Sequence, residues 1–186
     1  MQYLLANGEH MRIREAVPDD AAALLSMFRK AVQETDFLMT TIAEAEQITE
    51  AQERQFVLKY AQNDNNLFLI ALSGKKVIAS LSVTQSRWAK QKHTGEFGVV
   101  VLEAYWNMGI ARRLINQMMQ WLATHPVLRY IQLSVMANNE KAIRLYQNFG
   151  FKEEGRRAGA IYLNARAYGD VILMGQWVKK ADQAVT

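Results

Sequence analysis

The sequence predicts an α/β or α+β domain built on a mixed sheet. Segments of period two alternate with segments of helical period along the chain. Three strand-like segments, 67–72, 77–84 and 96–102, follow one another with no helix between them. That succession excludes a doubly wound alternation. The chain has 186 residues, half of them hydrophobic types. This is enough for one domain with a real core, since domains commonly span about 100–200 residues.

The elements follow in order. Residues 1–10 read as an N-terminal extension, 11–178 as the domain, and 179–186 as a C-terminal tail. Met11–Val17 is a first strand. Pro18-Asp19-Asp20 then supplies acidic capping groups for a helix over about 20–33, whose row is Leu24, Leu25, Phe28 and Val32. A second helix falls within 44–62, with a less regular stripe of Ile48, Ala51, Phe56, Val57 and Tyr60. Asn63–Asn66 turns the chain. Leu67–Leu72 is an apolar strand, Ser73-Gly74-Lys75 a turn, and Val77, Ala79, Leu81 and Val83 alternate as its hairpin partner. Glu96–Leu102 is a Val-rich strand. From Ile110 the period becomes helical, with Ile110, Leu114, Met118 and Leu122 in one row and Pro126 after its end. Tyr130–Met136 is a strand and Asn139–Asn148 a short helix closed by Gly150. Two strands, near 151–162 and 168–178, flank a turn at Asn164.

Composition excludes several chemistries. Without cysteine there is no disulfide framework, thiolate metal site or cysteine nucleophile. The three histidines, His10, His93 and His125, are scattered, which argues against a histidine-rich metal site and leaves a carboxylate site open. No apolar run approaches the ~20 residues of a membrane-spanning helix, and Met1–Ala6 is a poor signal peptide. A cytoplasmic protein with no membrane partner is expected. The net charge of +4 permits nucleic-acid binding without arguing for it, and no helix-turn-helix signal or clustered basic run supports it, so no nucleic acid is expected.

The segment Val99–Ile115 is a strand, a short turn and a helix opening at Gly109. Free N–H groups at a helix start attract anions, and a glycine allows close approach to the backbone. Arg112 and Arg113 stand in the first turn, where the helix dipole disfavours them unless an anion is near. Alone, this segment is equally an ordinary strand–turn–helix with solvated arginines. A second segment, Ser134–Phe151, is again strand, Asn-bearing turn, helix, glycine stop and strand.

Together the two segments resemble the GCN5-related N-acetyltransferase (GNAT) superfamily. The first is similar to motif A, Gln/Arg-x-x-Gly-x-Gly/Ala. The second matches motif B, Asn-x-x-Ala-x-x-Leu-Tyr-x-x-x-Gly-Phe, through Asn139, Ala142, Leu145, Tyr146, Gly150 and Phe151. Ile13–Ala16 with Asp19-Asp20-Ala21, and Asp170–Met174, resemble the family's first strand and helix and the last strand of bacterial members acting on amino acids or protein N-termini. One position departs: Trp106 stands where motif A has Gln or Arg. Tryptophan there, in Tyr-Trp-x-x-Gly-Ile-Ala, resembles some bacterial branches.

The resemblance implies a mostly antiparallel sheet of about six or seven strands flanked by four helices. It implies acetyl transfer from acetyl-CoA to a primary amine, without a metal, by direct attack in a ternary complex. The cofactor-binding residues would be Val99, Val101, Asn107, Met108, Gly109, Ile110, Ala111, Arg112, Asn139, Ala142 and Tyr146. The backbone N–H near Val101 would meet the charge developing on the thioester oxygen. Tyr146 matches the family's tyrosine that assists the leaving thiolate, although its spacing also fits a core aromatic. Glu96 is the candidate base, with His93 second, and Glu34 and Asp36 the candidates for attracting the amine. Each of these also reads as a solvated side chain, His93 chiefly so, and the pair Arg156-Arg157 reads as a solvated face before it reads as a contact for an anionic group on the acceptor. The family commonly dimerises, so a homodimer is an expected assembly. A non-catalytic acyl-CoA-binding or regulatory module on the same fold is the alternative reading.

Overall fold

The computed structural model describes residues 2–164 and 167–178. Its strands and α-helices run in the order β1 (Gln2–Leu4), β2 (His10–Glu15), α1 (Ala21–Glu34), α2 (Ile42–Gln47), α3 (Glu50–Ala61), β3 (Leu67–Ser73), β4 (Lys76–Gln85), β5 (Thr94–Val101), α4 (Ile110–Thr124), β6 (Tyr130–Met136), α5 (Glu140–Asn148), β7 (Lys152–Asn164) and β8 (Ala167–Trp177). The class is the mixed, mostly antiparallel α/β arrangement expected. The counts are higher: eight strands and five α-helices among the described residues. The expected tail 179–186, and the turn after Asn164, lie outside the described residues.

Two local causes raise the counts. The extension 1–10 is not a free arm, because β1 pairs antiparallel with β2 through Gln2↔Arg12, Tyr3↔Met11 and Leu4↔His10. The expected helix within 44–62 is two helices, because the sequence carries two capping boxes. Thr41 and Glu44 form the first, with Thr41 N donating to the Glu44 carboxylate at 2.8 Å. Thr49 and Gln52 form the second and restart the chain after Ile48. Of the expected stripe, Ala51, Phe56, Val57 and Tyr60 fall on α3, and Ile48 lies between the two helices.

The chain divides into two compact units. The first comprises residues up to 84 together with 98–121, and the second 85–97 together with the chain from 122 onward. In the first unit, β2 pairs antiparallel with β3 from Met11↔Ser73 to Glu15↔Leu69, and β3 with β4 from Leu67↔Val83 to Ser73↔Lys76. Every residue from Leu67 to Leu72 is buried. A strand buried on both faces reads as a continuous apolar run, which is how this one reads. On α1, Leu24, Leu25, Met27, Ala31 and Val32 are buried, and on α4 Ile110, Leu114, Ile115 and Met118 are 0–1% exposed. The acidic groups before α1 act differently from the expected cap. Asp20 makes no cap bond to α1; its carboxylate accepts from Val17 N at 2.8 Å and from both Arg14 nitrogens at 2.6 Å.

In the second unit, β5 runs parallel to β6 through Thr94↔Tyr130, Gly95↔Ile131 and Glu96↔Gln132. Strand β6 pairs antiparallel with β8 from Tyr130↔Trp177 to Met136↔Val171, and β8 with β7. The β7 register shifts between Glu153 and Gly155. This frees the Glu154 carboxylate to accept from the Tyr130 hydroxyl over Gly175. Burial, then that carboxylate, pushes the Tyr130 phenol up.

Candidate active site

The stretch joining β5 to α4 belongs to the first unit and is held from three sides. Leu102 N donates to Ile78 O at 3.0 Å, continuing the sheet. The Glu34 carboxylate accepts from Glu103 N at 2.8 Å and pairs with Lys30 at 3.5 Å. Trp106 Nε1 donates to Val101 O at 2.7 Å. The tryptophan that departs from motif A therefore ties its own turn to the end of β5. The chain then passes through two left-handed residues, Asn107 at φ 62° and Gly109 at φ 74°. For an asparagine that conformation costs of order 1 kcal/mol or more, and such cost tends to be stored where a ligand is held. At Gly109 no atom lies within 4 Å of where a Cβ would stand, so the space above the backbone is open. The first helical bond of α4 is Arg113 N to Gly109 O at 3.1 Å. The N–H groups of a first turn have no partner inside the helix.

Beside it, Val99 and Val101 on β5 are half-buried. Strand β5 is paired with β6 only at Thr94–Glu96, so residues 97–101 lie outside that ladder. An unpaired strand edge takes an extended, amide-bearing ligand by main-chain bonding. Met108 and Ala111 are half-buried, Ile110 is buried, and Arg112 is exposed. Arg113 lies over the Tyr3 ring at 4.3 Å, so its place in the first turn is matched by β1. An anion-tolerant turn beside an open strand edge fits a pantetheine pyrophosphate.

The second unit carries motif B. Asn139 caps α5, its Oδ1 accepting from Ala142 N at 3.2 Å. The same amide keeps its N–H donors for another partner. The helix closes in a Schellman motif: Phe151 N donates to Tyr146 O at 3.1 Å and Gly150 N to Gln147 O at 2.9 Å, with Gly150 at φ 92°. The spacing Tyr-x-x-x-Gly-Phe is the spacing of that motif, whose glycine takes the left-handed position. It packs Tyr146 against Phe151 at 6.2 Å and edge-on to Phe97 at 5.7 Å between centroids. Burial pushes the Tyr146 phenol up to about 12.

The remaining candidates are placed as follows. Glu96 is exposed and stands opposite Gln132 in register. Strand alternation puts it on the face opposite Phe97, the face that Gly98 and Val100 share. Asp36 is exposed in the turn after α1. The His93 ring stacks on Trp177 at 6.0 Å. Arg156 pairs with Asp170 at 2.8 Å.

Sequence reasoning missed a cavity of about 620 Å³ within the first unit, between α1, α2, α3 and strands β3 to β5. Leu24, Met27, Phe28, Phe56 and Phe68 line it with Gly98 and Val100, and Glu53, Ser80 and Ser82 supply polar groups. Neither Glu34 nor Asp36 lines it. Glu53 is half-buried, and burial raises its carboxyl above the ordinary glutamate value. The signal was present: Glu53 shares a helical row with Phe56, Val57 and Tyr60.

Among the described residues no group of His, Asp and Glu could hold a metal ion, and no helix is long and apolar enough to cross a membrane. The model of the acetyltransferase (GNAT) family matches residues 32–151. A GNAT-family acetyltransferase from Streptococcus pneumoniae superimposes with a TM-score of 0.86 at 31% identity, covering 91% of this chain and 99% of that one. A Salmonella typhimurium protein solved with its cofactor acetyl-CoA shares the fold, with a TM-score of 0.80 at 18% identity over 92% and 96% of the chains. The spermidine N(1)-acetyltransferase of Vibrio cholerae is 28% identical over 124 residues, 64% of this chain and 70% of its own. The L-amino acid N-acetyltransferase of Escherichia coli is 28% identical over 87 residues, 47% of this chain and 54% of its own. A motif-A turn, a complete motif B and this family match agree: the chain belongs to the acetyltransferase (GNAT) family, whose acetyl donor is acetyl-CoA.

Proposed function

We propose that the chain acetylates a primary amine by direct attack in a ternary complex. The observation that carries the reading is the open turn Asn107–Gly109 next to the β5 edge outside the β6 ladder. Bound acetyl-CoA supplies an activated thioester. The amine nitrogen forms the new N–C bond, the C–S bond breaks, and an ammonium substrate yields amide, free thiol and one released proton. The N–H groups of the turn and of the start of α4, from Asn107 to Arg112, hold the pyrophosphate. The Val101 N–H donates to the oxygen that gains charge. Because the Val101 carbonyl is taken by Trp106, that strand end is held in place before the ligand arrives.

Glu96, on the exposed face of β5, takes the proton of the amine, directly or through water. Asn139 donates its remaining amide hydrogens to the pantetheine arm. Tyr146 assists the leaving thiolate. With its phenol near 12 and a thiol nearer 8.5, full proton transfer is uphill. Its part is to donate a hydrogen bond, which it does at every physiological pH because it stays protonated.

The test is release of free CoA against grouped amine classes, with acetyl-CoA affinity measured separately by calorimetry. Tyr146→Phe is expected to lower kcat about 10- to 100-fold with acetyl-CoA affinity unchanged. An unchanged kcat overturns the assignment of Tyr146. Binding of acetyl-CoA with no CoA release for any amine class overturns the transfer reading and favours a non-catalytic acyl-CoA-binding module.

A further inference from the structure

The cavity of the first unit has a composition that selects among amines. Its walls are apolar and partly aromatic: Leu24, Met27, Phe28, Phe56, Phe68 and Val100. Its volume of about 620 Å³ lies within the range of small-molecule sites. No lysine or arginine lines it among the described residues. Two carboxylates do, Glu44 and Glu53. Glu44 is committed to its capping box, accepting from Thr41 N and Thr41 Oγ1 at 2.8 Å each. Glu53 has no ion-pair or hydrogen-bond partner given by the described residues, and it is half-buried among apolar groups. The apolar surface continues outward on the segment that contributes Thr40 to the lining, where Phe37, Met39 and Ile42 are exposed.

We infer that the acceptor is a monoamine carrying an apolar, aryl-sized body, whose ammonium is recruited by Glu53 and yields its proton to Glu96, directly or through water, before attack, while the body fills the cavity. The inference rests on the amine-acetylating reading above. One uncommitted carboxylate matches one ammonium. A polyamine brings several positive charges, and most of them would be buried against apolar walls without partners. A free amino acid brings a carboxylate next to Glu53 with no cation to offset it. An aryl group, in contrast, finds aromatic partners: Phe56 lies 5.0 Å from Tyr60 and 5.6 Å from Phe68 between centroids, with Phe56 still partly open. Ring pairs at such distances are favourable beyond the area they bury.

The experiment uses the full chain with acetyl-CoA and compares kcat/KM for phenethylamine, hexylamine, spermidine and L-phenylalanine, products being verified by mass. Phenethylamine and hexylamine are expected to exceed the other two by about 10-fold or more. Glu53→Gln is expected to lower kcat/KM for phenethylamine about 10- to 100-fold, chiefly through KM, with acetyl-CoA affinity by calorimetry unchanged. Phe56→Glu provides a second reading, as an added carboxylate at the cavity wall should raise spermidine turnover relative to phenethylamine. A preference for spermidine or L-phenylalanine in the unaltered chain overturns the inference while leaving acetyl transfer standing. Full phenethylamine activity in Glu53→Gln also overturns it. Failure of the unaltered chain to bind acetyl-CoA overturns both readings together.

Discussion

A carboxylate on the apolar row of a helix costs stability unless something offsets its charge. Glu53 is such a residue. Its carboxyl is raised by burial, so the fold is more stable when it is protonated. As pH rises through the unfolded-state value of about 4.3, the unfolded chain ionises first, and the resulting destabilisation is complete above the folded value. Glu53→Gln should therefore raise the melting temperature at pH 7–8 and lose that advantage near pH 4, as measured by thermal unfolding at both values. A residue whose neutral replacement stabilises the fold and impairs turnover is retained for its charge. Gly175 makes the opposite case, where a side chain is excluded by a neighbour. A Cβ there would fall on the Tyr130 hydroxyl and within 2.6 Å of a Glu154 carboxylate oxygen. Gly175→Ala is expected to cost about 2–3 kcal/mol in urea unfolding, and Tyr130→Phe in the same chain to recover part of it.

At the scale of elements, short helices need anchors, because few residues cannot sustain a helix by propensity alone. Helix α2 spans only Ile42–Gln47. Its N-terminus is closed by Thr41 and Glu44, and its C-terminal carbonyls by a side chain of α1. Arg29 donates to Ala45 O at 3.2 Å, Glu46 O at 3.1 Å and Ile48 O at 2.7 Å. These bonds hold the α2 wall of the cavity against α1. Arg29→Ala should raise KM for the amine several-fold and speed amide hydrogen exchange across 42–48, with acetyl-CoA affinity unchanged. An unaltered exchange profile there would show that Arg29 does not anchor the helix. Trp106 shows the same economy in another place. A residue type that cannot supply the charge expected at that motif position instead bonds the carbonyl of Val101 and steadies the turn.

For the whole molecule, a ligand that binds only the folded chain stabilises it by mass action. Acetyl-CoA at about 100 times its dissociation constant contributes about 2.7 kcal/mol. For a chain of this length each kcal/mol raises the melting temperature by about 2–4 °C, so a rise of about 5–11 °C is expected in differential scanning calorimetry. No rise at that ratio would contradict specific binding. The absence of cysteine bears on the reaction as a whole, since no acyl-cysteine intermediate can form.

The sequence by itself determined the strands 67–72 and 130–136, the helix from Ile110 and both family motifs. These depend on local periodicity, turn chemistry and cap residues, which act within a few positions of the chain. Motif B was legible for that reason: its Asn139 is a helix cap and its Tyr146, Gly150 and Phe151 are one helix stop. Only the tertiary structure decided which carboxylate serves which purpose. Glu34 and Glu53 look alike in sequence, yet Glu34 is bonded to Glu103 N from 69 residues away and Glu53 lines an apolar cavity. It likewise decided that β1 joins the sheet and that Arg113 meets Tyr3. Those outcomes depend on groups far apart in the chain, and on the desolvation each undergoes when they are brought together, which no local pattern records.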